Sequence, residues 1–178
     1  MIKVQIIKNK NLAKEERELI NRARVKEWGI GERKDFSKDF EPETKWFFFK
    51  DKDAIVALGA LRPIKITYLD KKYNILGISS IISLEKGKGY GKLLIKEIID
   101  YLKKKGKTGL GFTIKTEFFK KAGLKTEKDF IKRFIYKKPN GEEIIDNEGD
   151  GIYFEGKDRF ISRVLKNKSP IYIDILHW

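Results

Sequence analysis

Residues 84–102 read LEKGKGYGKLLIKEIIDYL, with Gly87, Gly89 and Gly91 alternating between lysines before a helical pattern begins. Glycines let successive backbone N–H groups turn toward one point, and a helix N-terminus adds about half a positive charge there. Lys86, Lys88 and Lys92 would add full charges. Such a cradle suits an anion the size of a pyrophosphate, and a solvated lysine-rich turn is the plainer alternative. Spacing excludes two familiar phosphate grips. A Walker A loop needs Gly at the position of Lys86 and Ser or Thr at the position of Leu93. In the dinucleotide fingerprint the third glycine would come one residue later than Gly91.

Other residues able to do chemistry are few. The stretch 75–84, ILGISSIISL, offers Ser79, Ser80 and Ser83 but no carboxylate, and filling a strand would explain all three. Asp174 and His177 fall on or near the last apolar stretch. The segment 146–157 nearly spells a calcium loop, but Lys157 stands where a bidentate Glu is required. It reads as a Gly-rich acidic turn. With no cysteine and one histidine, disulfides, thiolate metal sites and His-rich zinc sites are excluded, and no metal is expected.

Composition bounds the partners. A chain of 178 residues with 40% hydrophobic and 37% charged content suits one soluble domain, 1–178. The longest nearly apolar run is half of the roughly 20 residues a membrane span needs, and the N-terminus is too charged for a signal peptide. The expected setting is the cytoplasm, without a membrane partner. A net charge of +14 would attract polyanions. The lysines are spread along the whole chain, however, whereas nucleic-acid surfaces cluster charge and favour Arg. Nucleic acid is therefore the disfavoured partner.

The elements that must position these residues follow from periodicity. Residues 2–7 read as a strand, and 11–29 as a helix capped by Asn11 with Leu12, Leu19, Ile20, Ala23 and Trp28 on its buried stripe. KWFFFK, with alternate rings on both faces, reads as a strand buried on both sides. The stretch 54–69 is its neighbour, with Pro63 demanding an edge or a bulge. A turn over 70–74, strand 75–84, helix 89–105, strand 108–114 and short helix 115–124 come next. A hairpin on Pro139-Asn140-Gly141, a helix over 157–167 and a strand over 170–176 complete the chain.

Two of these pieces together carry a resemblance. KGKGYGKLL resembles the Arg/Gln-x-x-Gly-x-Gly/Ala signature of the GNAT N-acetyltransferases, and EFFKKAGLK resembles their second motif, Phe-Tyr-x-x-x-Gly-Phe, at the expected distance. The match covers 74–125, with element order extending it to both ends. It implies an α+β fold, a mixed, mostly antiparallel sheet of six to seven strands flanked by helices and splayed around CoA. It also implies acetyl-CoA as co-substrate and an amine acceptor, and is compatible with a homodimer. By this resemblance Lys86, Gly87, Lys88, Gly89, Tyr90, Gly91 and Lys92 would hold the CoA pyrophosphate. Ile82 and Leu84 would pair with the pantetheine amides, and Phe119 would lie against the cofactor. The acceptor would enter between 25–40, which offers Trp28, Arg33, Asp35, Phe36 and Phe40, and the last two strands.

Departures matter as much. Lys86 replaces the usual Arg or Gln and keeps the charge. Phe119 stands where many members carry the Tyr that protonates the thiolate. No helix Asn is present to touch CoA, and Thr113 or Thr116 is a weak substitute. Ser80 and Asp174 are the remaining candidates for proton transfer. Two other readings follow: a CoA-binding module that has lost catalysis, and an acetyltransferase for an RNA-linked amine such as aminoacyl-tRNA.

Overall fold

The computed structural model describes residues 2–176 and 178, so the expectation for His177 lies outside the described residues. The strands are β1 (Ile2–Lys8), β2 (Lys45–Asp51), β3 (Ala54–Tyr68), β4 (Lys71–Ser83), β5 (Gly109–Thr113), β6 (Lys125–Glu127), β7 (Phe134–Lys137), β8 (Glu143–Ile145), β9 (Asp150–Phe154) and β10 (Ile171–Ile173). The helices are α1 (Lys14–Trp28), α2 (Tyr90–Lys105), α3 (Thr116–Lys121) and α4 (Phe160–Lys166). All ten strands share one sheet in the order β6-β9-β5-β4-β3-β10-β7-β8, with β2 and then β1 running off β3. β4–β5 and β10–β7 pair in parallel, and the other pairs are antiparallel.

The mixed, mostly antiparallel sheet is the expected one, but it has more strands than six to seven. The cause is the length of the β3–β4 ribbon. Its first half carries β2, and its second half runs on far enough to pair β10 with Ile66 and Thr67. Pro63 falls in the gap between these two neighbours. There its missing N–H forfeits no ladder bond, so a strand with partners on both sides still has a local edge. The ribbon turns on Leu69 and Asp70, at φ 46° and 61°. Two residues at positive φ make a tight hairpin turn that matches strand twist, so the turn expected over 70–74 shrinks to its start.

Two further strand expectations need correction. β9 lies inside the segment 146–157 read as an acidic turn, and only 146–149 and 155–157 lie outside a strand. Gly151 disguised it: a Cβ there would come within 2.6 Å of the Phe130 ring, so the position is held by close packing. β6, at three residues, is too short to show periodicity. At the other end, Asn11 sits in a single turn of 3₁₀ helix ahead of α1. The Ala13 N–H is satisfied instead by the Glu16 carboxylate at 2.8 Å.

The core lies on both faces of the sheet. Phe47 and Phe49 pack under α2 with Leu94, Ile95, Ile98 and Leu102, while Trp46 and Phe48 face Ile20, Phe36 and Phe40 on the α1 side. Each such fully buried side chain contributes roughly 1.5–3 kcal/mol. A third cluster, around Ile64, Phe134, Phe160 and Ile171, consolidates the wing built from the distal ribbon, β7, β10 and α4. No helix among the described residues is long and apolar enough to cross a membrane.

Two irregularities open a cleft in this sheet. β4 and β5 pair only where Leu76 and Gly77 meet Gly109 and Leu110, and beyond that point they part. On the other edge of β4, Ser80 and Ile81 oppose the single residue Gly59, and Ser80 takes φ 54°. This bulge bends β4 at the head of the split.

Candidate active site

The glycine loop lies at the end of β4. The backbone N–H groups of residues 87–91 donate to no acceptor among the described residues, and the first loop-to-helix bonds run from Lys92 and Leu93 to the Gly89 carbonyl. Gly87 and Gly89 have φ of 81° and 78°, in the left-handed region that favours glycine, and a Cβ at either would meet nothing within 4 Å. The surrounding space is therefore open to a ligand. Gly91 is different, since a Cβ there would press on the Phe118 ring at 3.0 Å. Free amides, open space and the N-terminus of a sixteen-residue helix together fit an anionic diphosphate.

Carboxylates hold two of the three loop lysines. Lys88 pairs with Glu85 at 2.8 Å, and Lys86 with Glu27 of α1 at 2.9 Å. Glu27 also faces Lys115, from the start of α3, at 3.6 Å. It thus joins the ends of β4 and β5 across the opening between them. The Lys86 hydrogen bond, helped by the charge of both lysines, holds the Glu27 carboxyl below its ordinary pKa. Its stabilisation is therefore complete above about pH 4.5 and lost as pH falls through the depressed value. The Tyr90 hydroxyl donates to Asp51 at 2.8 Å, which leaves only its backbone N–H facing the loop.

Strand alternation decides which part of β4 is open. The Leu84 N–H donates to the Val56 carbonyl of β3 at 2.9 Å, and Ile82 lies opposite Leu58 in the same register. The groups directed away from β3 therefore belong to Ile81 and Ser83. The side chain of Ile82 is buried against the α1-side core.

From the split an open cleft of about 1270 Å³ extends between the α1 side and the wing. Arg24 crosses it at the bulge. Its Nε donates to the Glu32 carbonyl at 3.0 Å, Nη2 to the Glu32 carboxylate at 2.6 Å, and Nη1 to Ser80 Oγ at 2.5 Å. Burial pulls its pKa below the ordinary value, and Glu32 opposes that shift. Arg62 of β3 grips Glu41 through Nε and Nη2 at 3.1 and 2.9 Å. Burial pushes the Glu41 carboxyl up, but Arg62 outweighs it and holds the group below its ordinary range. Both guanidiniums lie over the Phe40 ring, at 5.9 and 5.1 Å from its centre. On the wing side, Trp178 Nε1 donates to the Leu110 carbonyl at 2.7 Å. Its indole stands against Gly77, where a Cβ would come within 2.8 Å. Trp178 is thus a wedge at the point where β4 and β5 diverge.

Some of the residues singled out from sequence reach this cleft, whereas the glycine loop does not line it. Ser79, Ser80, Phe119 and Asp174 line it, as do Trp28 and Phe40. Trp28, expected on the buried stripe, is instead 46% exposed at the cleft wall. Arg33 pairs with Glu18 at the surface, and Phe36 anchors the loop against Trp46. One Asp174 oxygen accepts the Lys65 N–H at 3.0 Å. Phe119 is buried and brings no donor to the site. Sequence reasoning missed Arg24, Arg62, Glu27 and Trp178. Arginines are scarcer than lysines in this chain, and Arg62 within an otherwise apolar strand pattern was the available signal. Among the described residues no group of three or more His, Cys, Asp or Glu could hold a metal ion.

The charges on the cleft wall cancel. Arg24, Lys34, Lys38, Arg62 and Lys115 face Glu27, Glu32, Asp39, Glu41 and Asp174, in a chain whose net charge is +14.

Residues 13–123 match the family described as the acetyltransferase (GNAT) family. No curated protein matches the sequence. Among solved structures, ElaA of Escherichia coli is similar with a TM-score of 0.58 at 14% identity, over 87% of this chain and 100% of that one. An N-acetyltransferase from Staphylococcus aureus Mu50 has a TM-score of 0.55 at 15% identity, over 87% and 97%. A Bacillus subtilis acetyltransferase in complex with CoA has 0.53 at 16%, over 87% and 99%. The chain spans about a third of some larger relatives, such as a probable N-acyltransferase from Enterococcus faecalis V583, of which it covers 33%.

Proposed function

The chain belongs to the acetyltransferase (GNAT) family, and on that premise we propose that it transfers an acetyl group from acetyl-CoA to a primary amine. The observation that carries this reading is the row of uncommitted amides at 87–91, which follows β4, the strand whose bulge at Ser80 and Ile81 lines the cleft.

Acetyl-CoA supplies the acetyl group as a thioester, and the chain's own residues do the rest. The loop from Lys86 to Lys92 holds the pyrophosphate with amides, helix dipole and lysine charge. The open edge at Ile81 and Ser83 offers backbone hydrogen bonds to the pantetheine arm, in place of the backbone of Ile82 and Leu84. A neutral amine attacks the thioester carbon, so the C–N bond forms as the C–S bond breaks. One proton must leave the nitrogen and one must reach the sulfur. Ser80 suits the second task, because the Arg24 hydrogen bond to its oxygen polarises the O–H. Asp174, with one oxygen committed to Lys65, is the candidate to receive a proton.

Free-thiol release from acetyl-CoA against a panel of primary amines tests the proposal, and amine-dependent release is expected. Phe119 favours one other reading, a CoA-binding module without turnover. CoA binding with no amine-dependent release across the panel would select it. The charge-balanced cleft speaks against an RNA-linked acceptor, for which a basic wall would be expected.

Glu27 gives a sharper check. Its carboxylate competes with the pyrophosphate for Lys86 and repels it. Glu27→Gln is expected to tighten CoA binding about two- to fivefold by calorimetric titration, on the scale of one partly exposed ion pair. Weaker binding in the variant would mean that Glu27 positions the lysines for the ligand.

A further inference from the structure

We infer that the acceptor is a small amine bearing a carboxylate close to its amino group, an amino acid, held between Arg62 and Ser79. This inference rests on the acyl-transfer reading above and specifies its second substrate.

Besides Trp28, Lys34 and Tyr136, two polar side chains of the cleft wall keep an atom without a hydrogen-bond partner among the described residues. Arg62 spends Nε and Nη2 on Glu41 and on the Asp39 carbonyl. Its Nη1 donates to nothing among the described residues, although the side chain is only 14% exposed and lines the cleft. The second is Ser79 Oγ, which is shielded from solvent and has no hydrogen-bond partner. A buried hydroxyl left without a partner is destabilising, so such an atom in a cleft wall marks a place for a ligand atom.

Register brings the two together. Ser79 lies opposite Ala60, and Arg62 is two residues further along β3. The two residues therefore share a face of the sheet as diagonal neighbours, about 7–8 Å apart. One small frame carrying an amine and a carboxylate can reach both. Glu41 occupies the Nε–Nη2 edge of the guanidinium and leaves Nη1 for the ligand carboxylate. The neutral balance of the wall suits a zwitterion better than a polyanion or a polycation. Phe40 below the guanidiniums and Trp178 at the opposite end provide flat apolar surfaces for the carbon frame.

The test compares amino acids with their carboxamides, which keep the amine and lose the charge. Leucine, phenylalanine, lysine and glutamate are each paired with the corresponding amide. Rates are corrected for the fraction of neutral amine. For at least one pair, kcat/KM of the acid should exceed that of the amide by tenfold or more. The double variant Arg62→Met with Glu41→Gln, which leaves no unpaired charge, should erase the preference while KM for acetyl-CoA stays within twofold. Equal rates for acid and amide in the unaltered protein would overturn the inference, as would a preference that survives the double variant. If no amine consumes acetyl-CoA, binding of each pair to the CoA-loaded protein is measured instead. Acid binding without amide binding would uphold the carboxylate site and sink the transfer reading alone. Binding of neither would sink the site.

Discussion

Replacing Gly89 with aspartate should lower CoA affinity at least a hundredfold and leave the fold standing. Gly89 lies at the N-terminus of α2 with φ 78°, and a Cβ there meets open space. Strain is then the only structural cost, about 1 kcal/mol in the left-handed region, which Asp and Asn tolerate best. A carboxylate beside the first turn of a helix returns about 0.3–1 kcal/mol through the dipole. The melting temperature should therefore move by only a few degrees. The ligand meets the opposite situation. The carboxylate takes up the amides that would hold the pyrophosphate and places like charge beside it. Gly89→Asn, with the same shape and no charge, should lose affinity by no more than about tenfold. Calorimetric titration with CoA, run beside thermal melts, separates the two effects. Normal binding by the aspartate variant would remove the loop from the cofactor site.

The second large effect is expected at Arg24. Its guanidinium joins α1, the loop at Glu32 and the bulge at Ser80 through three hydrogen bonds, and stacks over Trp28 at 5.1 Å. Arg24→Ala should cost about 2–4 kcal/mol in urea unfolding, toward the low end of the range for broken buried pairs because Glu32 can hydrate. Turnover should fall more than tenfold with little change in KM for acetyl-CoA, since Ser80 loses the contact that polarises it. Arg24→Lys should recover part of the stability but little of the rate, because an ammonium cannot reach all three partners from one position. A rate as high as that of the unaltered protein would free Ser80 from the mechanism.

The parts of this molecule legible from sequence were those set by local physics. The glycine loop, the amphipathic face of α2 and the Asn140-Gly141 hairpin all follow from neighbours a few residues apart. The double-sided burial of KWFFFK was equally plain, since four adjacent aromatics cannot share one face of a strand. What stayed hidden depends on distant contacts. β9 begins with Asp150-Gly151, a turn-like pair that is tolerated because Phe130 packs on the glycine. Arg24 looks like any surface cation of α1 until the loop at Glu32 folds over it. Ser79 looked like strand filling, and only the partners of its neighbours show that its hydroxyl is left over.

The way the ribbon shares its partners also orders events in time. β1, β2 and the first half of β3 pair among residues 2–61, and α2 packs on them, with Ile152 and Phe154 added from β9. The wing requires Ile173 to find Ile66 and Trp178 to find Leu110, pairings that span 107 and 68 residues. Long-range pairings of this kind form late. During synthesis the glycine loop and the strands beside it would be complete before the wing that forms the far wall of the cleft.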